Sequence, residues 1–551
     1  MPEYFELGSY TRAVTTSSEQ AREWARRGLL WAYAFNHDEA VACFEHAVDA
    51  DPDCAFAYWG IAYALGPNYN KPWEAFEDAE ARSATARAHA AAANAQRLAI
   101  HACPAERALI AALASRYPEG VPASDWSVWN RAYADAMRGA YAAHPDDLDV
   151  AVLFADALMN LTPWALWNTG TGQPAKGAAT VEARAVLERA LAGSEGQRHP
   201  GALHLYVHLM EMSPHPEDAL WAGELLRELV PDAGHLLHMP THLDVLCGDY
   251  RQVVASNEAA IRADERFVAA RGGMNFYTLY RVHNYHFKIY GAMFLGQSGV
   301  ALETVEALTT AIPESLLRVP VPPMADWLEG FVGMRVHVLI RFGRWQELID
   351  APLPADAELY RVTTAMLHYG KGVAFAATGQ ISRAREQQVL FAAAAAQVPD
   401  SRTIFNNTCA SILSVAGAML DGELDYRDGN VEAAFENLRR AIDMDDGLPY
   451  DEPWGWMQPA RHAYGALLLE QGRVGDAEDV YRADLGLDGT LPRPCQHPAN
   501  VWSLHGYHEC LTRLGKHEQA MIIEQQLRVA LARADVPIGS SCYCRLSSTT
   551  G

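Results

Sequence analysis

The chain has 551 residues, and its 44 Lys and Arg against 68 Asp and Glu give a formal charge of −24. Nucleic acids and anionic membranes bind surfaces with concentrated Lys and Arg, so neither is expected as a partner. The first residues, Met1–Tyr4, do not read as a basic apolar leader, and no run of about 18 uncharged apolar residues occurs. We therefore expect neither a signal peptide nor a membrane span, and we predict a cytoplasmic protein.

Cysteine usage fits a reducing compartment. The nine cysteines are scattered, and none forms the Cys-x-x-Cys spacing of a zinc ribbon or a thioredoxin-type pair. The closest pair is Cys542-Tyr-Cys544, near the end of the chain. The 21 histidines are unevenly distributed, and this is the unusual feature of the composition.

A helical repeat organises the chain from its N-terminus. The first copy is marked by small and aromatic residues at fixed spacing: Trp24, Gly28, Trp31, Ala40, Phe44, Ala47 and Pro52. Small residues where two helices cross and large ones in the grooves match the tetratricopeptide spacing of about 34 residues. Weaker copies are marked by Gly248, Tyr250 and Ala260; by Gly372, Gly379 and Ala384; by Gly422, Ala434 and Ala441; by Gly465, Gly472 and Ala477; and by Gly515 and Ala520.

The pattern predicts an all-α tetratricopeptide-type α-solenoid. Whether the solenoid closes around an internal cavity is not decided by the sequence. Strand signals are nearly absent, and Ala81 to Ala99 predicts one long helix. We predict a single continuous array over 1–538, in which N-terminal repeats (14–160), histidine-rich central repeats (180–310) and C-terminal repeats (325–538) follow one another. Residues 539–551 are predicted to be a disordered tail.

The first histidine cluster is His204-Leu-Tyr-Val-His208-Leu-Met-Glu211. Spacings of four and seven place the three polar side chains within about 60° of one another around a helix. Two imidazoles one turn apart can share a metal ion, so His204 and His208 are predicted ligands. Glu211 suits a third ligand, an acceptor behind a ligand, or a catalytic base. An amphipathic helix that carries two histidines without a special role is the alternative.

The second cluster spans Gly234 to His242 and contains His235, His238 and His242 around Pro240. Proline fits the first position of a helix, so His235 and His238 should approach that helix and His242 should lie in its first turn. We predict His238 and His242 as metal ligands and His235 as catalytic. The alternative is that His238 caps the helix and His242 packs in the core.

Further candidates lie on both sides of these clusters. His283 and His286, three residues apart, are predicted metal ligands, and Asn284 lies between them. Predicted substrate-lining residues are Trp59, Asn68, Asn70, Asn284, Trp454, Trp456 and His462. For the C-terminal group, aromatic packing between repeats is the stronger alternative, and for the Gly66-Pro-Asn segment it is a turn.

Repeats bring corresponding helices of successive units side by side, so seven histidines can converge in one cavity. Imidazole-rich sites suit copper, iron, zinc or nickel, whereas magnesium and calcium prefer oxygen ligands. We predict a transition metal, copper or iron, with zinc as the alternative. Because Glu211 is the only carboxylate within the first cluster, a carboxylate-bridged di-iron site is disfavoured.

Several segments together resemble a large family of tetratricopeptide proteins found in bacteria and fungi. The segments that carry the resemblance are Phe35–Ala40, Asp51–Gly60, Gly66–Asn70, His204–His208, Gly234–His242, His283–Phe287 and Glu452–Arg461. The resemblance covers most of the chain and implies a tetratricopeptide-type superhelix with a histidine-lined interior. It does not imply a reaction.

Two functions from different classes follow. The first is a metal-dependent enzyme, an oxidoreductase acting on a small molecule, with a zinc hydrolase or lyase as its close variant. The second is a scaffold whose groove binds a partner peptide, as repeat arrays commonly do. Seven clustered histidines favour the enzyme, since a peptide groove does not need them. A protein partner on the repeat surface and a homodimer are compatible with either function.

Overall fold

The structure is a computed structural model that describes residues 4–545. Its described residues form two compact units. The first unit runs to Leu243 and also includes Ala259–Gly272, and the second comprises Asp244–Glu258 and the chain from Gly273 onward. The prediction of one continuous array over 1–538 stays a prediction.

The first unit is built from helices joined by short turns. These are α1 (Glu19–Tyr33), α2 (His37–Ala50), α3 (Ala55–Ala64), α4 (Asp78–Leu98), α5 (Pro104–Leu113), α6 (Trp126–Ala143), α7 (Leu148–Met159), α8 (Thr180–Leu191), α9 (Pro200–Glu211), α10 (Leu220–Leu226) and α11 (Gly234–His238). The chain passes between the units within α12 (Pro240–Cys247) and α13 (Tyr250–Arg271). Helix α4 confirms the long helix predicted for Ala81 to Ala99.

The second unit continues the same architecture. Its helices are α14 (Thr278–Leu295), α15 (Ser298–Ala311), α16 (Glu314–Leu317), α17 (Met324–Val332), α18 (Met334–Arg341), α19 (Trp345–Asp350), α20 (Arg361–Ala377), α21 (Ile381–Ala395), α22 (Cys409–Arg427), α23 (Val431–Asp446), α24 (Ala460–Glu470), α25 (Val474–Asp484), α26 (Val501–Arg513) and α27 (His517–Leu531). The all-α helical-repeat fold is confirmed.

Short elements complete both units. Strands β1 (Trp167–Asn168) and β2 (Gln173–Pro174) pair antiparallel, as do β3 (Thr403–Ile404) and β4 (Asn407–Thr408). In residues 4–545 these two hairpins are the only sheets. Single 3₁₀ turns lie at Trp73–Ala75, Ala99–His101, Ala114–Arg116, Gly196–Arg198, Pro216–Ala219 and Arg493–Cys495.

The repeat spacing has a direct packing explanation. The fully buried ring of Phe44 on α2 lies against Gly28 of α1 and Gly60 of α3, where a Cβ would come within 2.9 Å and 2.3 Å of ring atoms. The second unit repeats the arrangement with Tyr481 of α25, which lies against Gly465 of α24 and Gly506 of α26. One large ring between two glycines sets the close approach of successive helices.

Part of the predicted disordered tail is described and packed. Ser541 is buried, and its hydroxyl donates to the carbonyl of His462 over 2.7 Å. Arg545 pairs with Glu509 at 2.7 Å, and a disulfide joins Cys542 to Cys544. The rest of the predicted tail, residues 546–551, lies outside the described residues. Among the described residues, no helix has the length and apolar character needed to cross a bilayer.

Candidate metal centre

Five predicted histidines form a closed ring of imidazoles in the first unit. Helix α9 supplies His204 and His208, α11 supplies His235 and His238, and α12 supplies His242. Around the ring, centroid distances are 4.8 Å from His204 to His208, 5.8 Å on to His242, 4.8 Å to His238, 6.0 Å to His235 and 4.9 Å back to His204. All five side chains are at most 2% exposed.

Local sequence fixes where these helices begin. Helix α9 starts at Pro200, and the His199 side chain accepts a hydrogen bond from the backbone N–H of Ala202. Helix α12 starts at Pro240, as predicted, so His242 lies in its first turn. His235 and His238 belong to a short helix of their own, α11, and not to an irregular segment that leads to α12.

His204 has a fixed tautomer. Its Nδ1 lies 2.6 Å from the backbone carbonyl oxygen of Tyr33. A carbonyl only accepts hydrogen bonds, so Nδ1 carries the proton and Nε2 keeps its lone pair. That Nε2 lies 3.1 Å from Nε2 of His235.

Glu211 fixes two further histidines. Its Oε1 lies 3.0 Å from Nδ1 of His208 and its Oε2 lies 2.8 Å from Nδ1 of His242. An ionised carboxylate only accepts, so both Nδ1 atoms donate and both Nε2 atoms keep lone pairs. Nε2 of His242 lies 2.8 Å from Nε2 of His238, and Nε2 of His208 is buried with no hydrogen-bond partner among the described residues.

The nitrogen spacing suits a metal ion. When two imidazole nitrogens bind the same ion at about 2.0–2.1 Å and the N–metal–N angle is near 90–100°, the two nitrogen atoms lie roughly 3 Å apart. The Nε2 pairs of His204–His235 and His238–His242 have this separation. His204, His208 and His235 also offer ligand atoms that all lie within 4.8 Å of one another. These histidines can therefore hold a metal ion.

Burial keeps the imidazoles neutral. It lowers the pKa of His204, His208 and His235 well below the ordinary value, and neighbouring imidazoles lower them further. Neutral imidazole is the form that binds metals, so the site does not have to lose protons from these rings to accept an ion at neutral pH.

Aromatic side chains surround the ring, and two of them have unusual backbones. Phe35 lies 4.5 Å from His204 and stacks on His208 and His235 at 5.7 Å and 5.6 Å. Trp164 lies 6.1 Å from His208. Phe35 and Trp164 have φ values of +55° and +57°, which bulky residues rarely adopt and which cluster at functional sites. Sequence reasoning missed both as site residues, although Phe35 begins one of the family-like motifs.

A buried carboxylate supports the centre from behind. Asp149 of α7 accepts hydrogen bonds from the hydroxyls of Tyr10 and Tyr33 at 2.7 Å and 2.5 Å, and it pairs with Arg12 and His199 at 2.6 Å and 3.2 Å. Burial alone would raise the pKa of Asp149, but the hydrogen bond from His199 and the charge of Arg12 hold it well below its usual range. The Asp149 carboxylate therefore holds in place His199, the residue that caps the start of α9, and Tyr33, whose carbonyl orients His204.

The N-terminal residues predicted to line a substrate site have local roles. Trp59 is fully buried and stacks on Phe56 and Tyr63 at 4.8 Å and 5.2 Å. Oδ1 of Asn68 accepts from the backbone N–H groups of Asn70 and Lys71, which forms the turn that was the alternative. Their contact with a substrate stays a prediction.

His283 and His286 lie on α14 in the second unit. The His283 ring lies 4.6 Å from Phe405, and Nε2 of His286 lies 2.9 Å from Sδ of Met457. Burial lowers the pKa of His286 to about 3, and Asn284 between the two histidines is also buried. The convergence of all seven histidines in one cavity stays a prediction.

The remaining C-terminal candidates make buried contacts inside the second unit. Trp454 donates from its indole to the carbonyl of Asp445 over 2.9 Å, and Trp456 packs edge-on against His337 with centroids 4.7 Å apart. Nε2 of His462 lies 3.0 Å from Asp484, and burial lowers the pKa of this histidine to about 4. These contacts fit the packing alternative at least as well as a substrate-lining role.

No known family model and no curated protein sequence matches the chain. Solved structures similar to it include a human IFIT1 dimer with m7Gppp-AAAA, at 8% identity and a TM-score of 0.32 over 94% of this chain and 92% of that one. They also include Naa15/Naa10 bound to HypK-THB, at 13% identity and a TM-score of 0.21 over 93% of this chain and 70% of that one. The helical-repeat fold follows from the helix packing described above.

Proposed function

We propose that this protein is a metal-dependent enzyme that holds a transition-metal ion within the ring of five histidines and acts on a small molecule. One observation carries the proposal: the Nδ1 atoms of His204, His208 and His242 are each held by an oxygen acceptor. Metal-binding histidines almost always donate their second nitrogen in this way, which orients the ring and raises its basicity. A buried N–H needs an acceptor in any core, but packing alone does not account for the Nε2 atoms of His204 and His242, which lie 3.1 Å and 2.8 Å from the Nε2 atoms of His235 and His238.

The roles within the site follow from the hydrogen bonds. His204, His208, His235, His238 and His242 are proposed as ligand candidates, of which one ion would use three or four. The geometry supports Glu211 as the acceptor that orients His208 and His242, rather than as a catalytic base, because both of its oxygen atoms are engaged with Nδ1 atoms. The pairing of His235 with His204 supports a ligand role over the catalytic role predicted from the sequence.

The imidazole ligands favour certain metals and therefore certain reactions. Neutral imidazoles without a carboxylate ligand favour copper or iron, and hence an oxidoreductase; the same donors also accept zinc, which would indicate a hydrolase or lyase. The metal would supply dioxygen activation in the first case and a Lewis acid in the second. Phe35, Tyr69 and Trp164 around the ring suit an apolar or aromatic substrate.

Metal content is the decisive measurement. Protein purified without chelator should contain close to one equivalent of a transition metal per site by elemental analysis, and electron paramagnetic resonance should distinguish copper or iron from zinc. His208→Ala and His242→Ala should remove the metal. His215→Ala is the matched control, since its side chain is 68% exposed in the same unit.

The competing hypothesis, a scaffold that binds a partner peptide, predicts the opposite pattern. Protein without metal after purification and after incubation with copper, iron or zinc would contradict the enzyme proposal. Recovery of a specific partner whose affinity is unchanged in His208→Ala would then support the scaffold. A metal-loaded protein that consumes dioxygen with an aromatic substrate panel would support the oxidoreductase.

A further inference from the structure

A buried arginine in the first unit has few partners. Arg116, in the 3₁₀ turn after α5, is 1% exposed, and within residues 4–545 only its Nη2 makes a hydrogen bond, to the carbonyl of Pro67 at 2.6 Å. Its Nε and Nη1 are buried without a hydrogen-bond partner among the described residues. A guanidinium has five N–H donors, so most of its donors are unused.

The buried Asp156 offsets the charge of Arg116 from a distance, without a direct ion pair. Among residues 4–545 no carboxylate lies within 4.0 Å of its nitrogen atoms, whereas Arg12 in the same unit pairs with two. Its guanidinium instead lies over the rings of Tyr133 and Tyr63, at 4.9 Å and 5.5 Å from their centroids. A buried cation normally needs a hydrogen-bonded anion, and ring faces supply only part of that stabilisation.

Two hydroxyls share this environment. Tyr117 and Tyr133 are each 2% exposed, and both hydroxyls are buried without a hydrogen-bond partner in the part of the chain that the structure describes. By contrast, the hydroxyl of Tyr63 donates to Asp156 over 3.0 Å. Two unused hydroxyl donors beside an unused guanidinium edge form a set that matches an anion.

Gly66 shapes this set. A Cβ on Gly66 would lie 2.1 Å from the Tyr117 hydroxyl oxygen and 3.3 Å from Cζ of Arg116. The hydroxyl and the guanidinium therefore both pack against the Gly66 backbone, and only glycine permits this close approach. The absence of a side chain is explained by the close approach and not by the backbone angle, because Gly66 is not among the residues with positive φ.

We propose that Arg116, Tyr117 and Tyr133 form a binding site for the carboxylate of a small organic acid. A carboxylate fits better than a phosphate because the site offers one cation and neutral hydroxyls, and the neighbouring Lys71 is already paired with Glu80. The full burial of the donors favours a small molecule over a protein surface.

The Gly66–Asn70 loop connects this site to the histidine ring. Arg116 holds the Pro67 carbonyl at one end of the loop, and the Tyr69 ring lies 4.9 Å from His208 at the other. The carboxylate site is proposed independently of the metal centre.

The test is calorimetric titration of the full chain with acetate and benzoate, with benzamide as the neutral match of benzoate and inorganic phosphate as the second anion. We expect benzoate or acetate to bind and benzamide to bind at least about tenfold more weakly, since hydrogen bonds to a charged group are lost. Absence of carboxylate binding, or tighter binding of phosphate, would overturn the proposal.

Variants locate the binding. Tyr117→Phe and Tyr133→Phe should each weaken carboxylate binding about tenfold without lowering the melting temperature, because each removes a hydroxyl that has no partner within residues 4–545. Arg116→Gln should abolish binding. Tyr58→Phe, half-buried on α3, is the control and should bind as the unaltered chain does. Unchanged affinity in both phenylalanine variants of Tyr117 and Tyr133 would refute this location.

Metal content separates the two proposals. Carboxylate binding in a protein that takes up no metal would refute the proposed function and leave the carboxylate site standing. A metal-loaded protein that binds no carboxylate would refute the carboxylate site and leave the proposed function standing.

Discussion

Glu211 orients His208 through a hydrogen bond of 3.0 Å between Oε1 and Nδ1, and both side chains are fully buried. The substitution Glu211→Gln retains the shape of the side chain but leaves one acceptor oxygen for the two Nδ1–H donors of His208 and His242. The amide NH₂ would then face an Nδ1–H and force the other tautomer on one ring. We expect metal affinity to fall by about 10–100-fold, as for other acceptors behind metal ligands. Competition against a chromogenic chelator measures this change.

Glu195→Gln provides the control, since this side chain is exposed in the same unit. It should bind metal as the unaltered chain does. Equal metal affinity in Glu211→Gln, together with a lowered melting temperature of the metal-free protein, would assign Glu211 to folding alone and remove the main support for the metal site.

Phe35 combines a left-handed backbone with burial against three imidazoles. At φ +55° an alanine is strained, whereas glycine is not, so Phe35→Gly should be more stable than Phe35→Ala by about 1 kcal/mol. Both variants should be less stable than the unaltered chain by roughly 3–5 kcal/mol, because a buried aromatic ring is removed. Urea unfolding of the metal-free variants measures the free energies.

Inside a helix, alanine is expected to be more stable than glycine, the opposite of the order at Phe35. At Ala140 in α6, replacement by glycine should cost about 1 kcal/mol. A Phe35→Ala variant more stable than Phe35→Gly would show that the left-handed backbone does not constrain this position.

The local part of the centre could be predicted from the sequence. Helical spacing placed His204, His208 and Glu211 on one face of α9, and Pro240 placed His242 in the first turn of α12. Both inferences need only the geometry of a single helix and the missing N–H of proline.

The long-range part could not be predicted. The bond between Glu211 and His242 joins residues 31 apart, and the carbonyl that orients His204 comes from Tyr33, 171 residues away. Sequence periodicity says which face of a helix is polar, but not which helix it meets. Arg116 was missed for a related reason, because a single arginine in a sequence gives no sign that burial will leave its donors unused.

Tyr481 gives a test of the repeat packing away from the candidate centre. A methyl group on Gly465 or Gly506 would lie 2.6 Å or 2.3 Å from the Tyr481 ring, so Gly465→Ala and Gly506→Ala should each lower the free energy of unfolding by about 1–3 kcal/mol. Gly475→Ala, on α25 with no atom within 4 Å of the added methyl, should be neutral or stabilising by up to about 1 kcal/mol. Chemical denaturation measures all three. If the three variants proved equally stable, close glycine–ring contact would not set the spacing of these helices.

Asp445 makes a stability prediction with a definite pH sign. Burial raises the pKa of its carboxyl to about 8, although the backbone N–H of Ala460 donates to Oδ2 over 3.0 Å and opposes the shift. The pKa of an unfolded aspartate is about 3.9, so between about pH 4 and pH 8 the folded protein holds a proton that the unfolded chain has released. The free energy of unfolding should therefore fall as the pH rises through this window.

Asp445→Asn removes this titration while its side-chain oxygen can still accept from Ala460. The variant should therefore gain stability over the unaltered chain as the pH rises from 4 to 8, by an amount on the order of a few kcal/mol. Asp443→Asn, exposed on the same helix, controls for the loss of a negative charge near the C-terminus of α23. Thermal unfolding at several pH values measures the difference between the two variants. A gain for Asp445→Asn that shrank with rising pH would mean that the buried carboxyl is ionised in the folded protein, and that the nearby Arg461 outweighs the effect of burial.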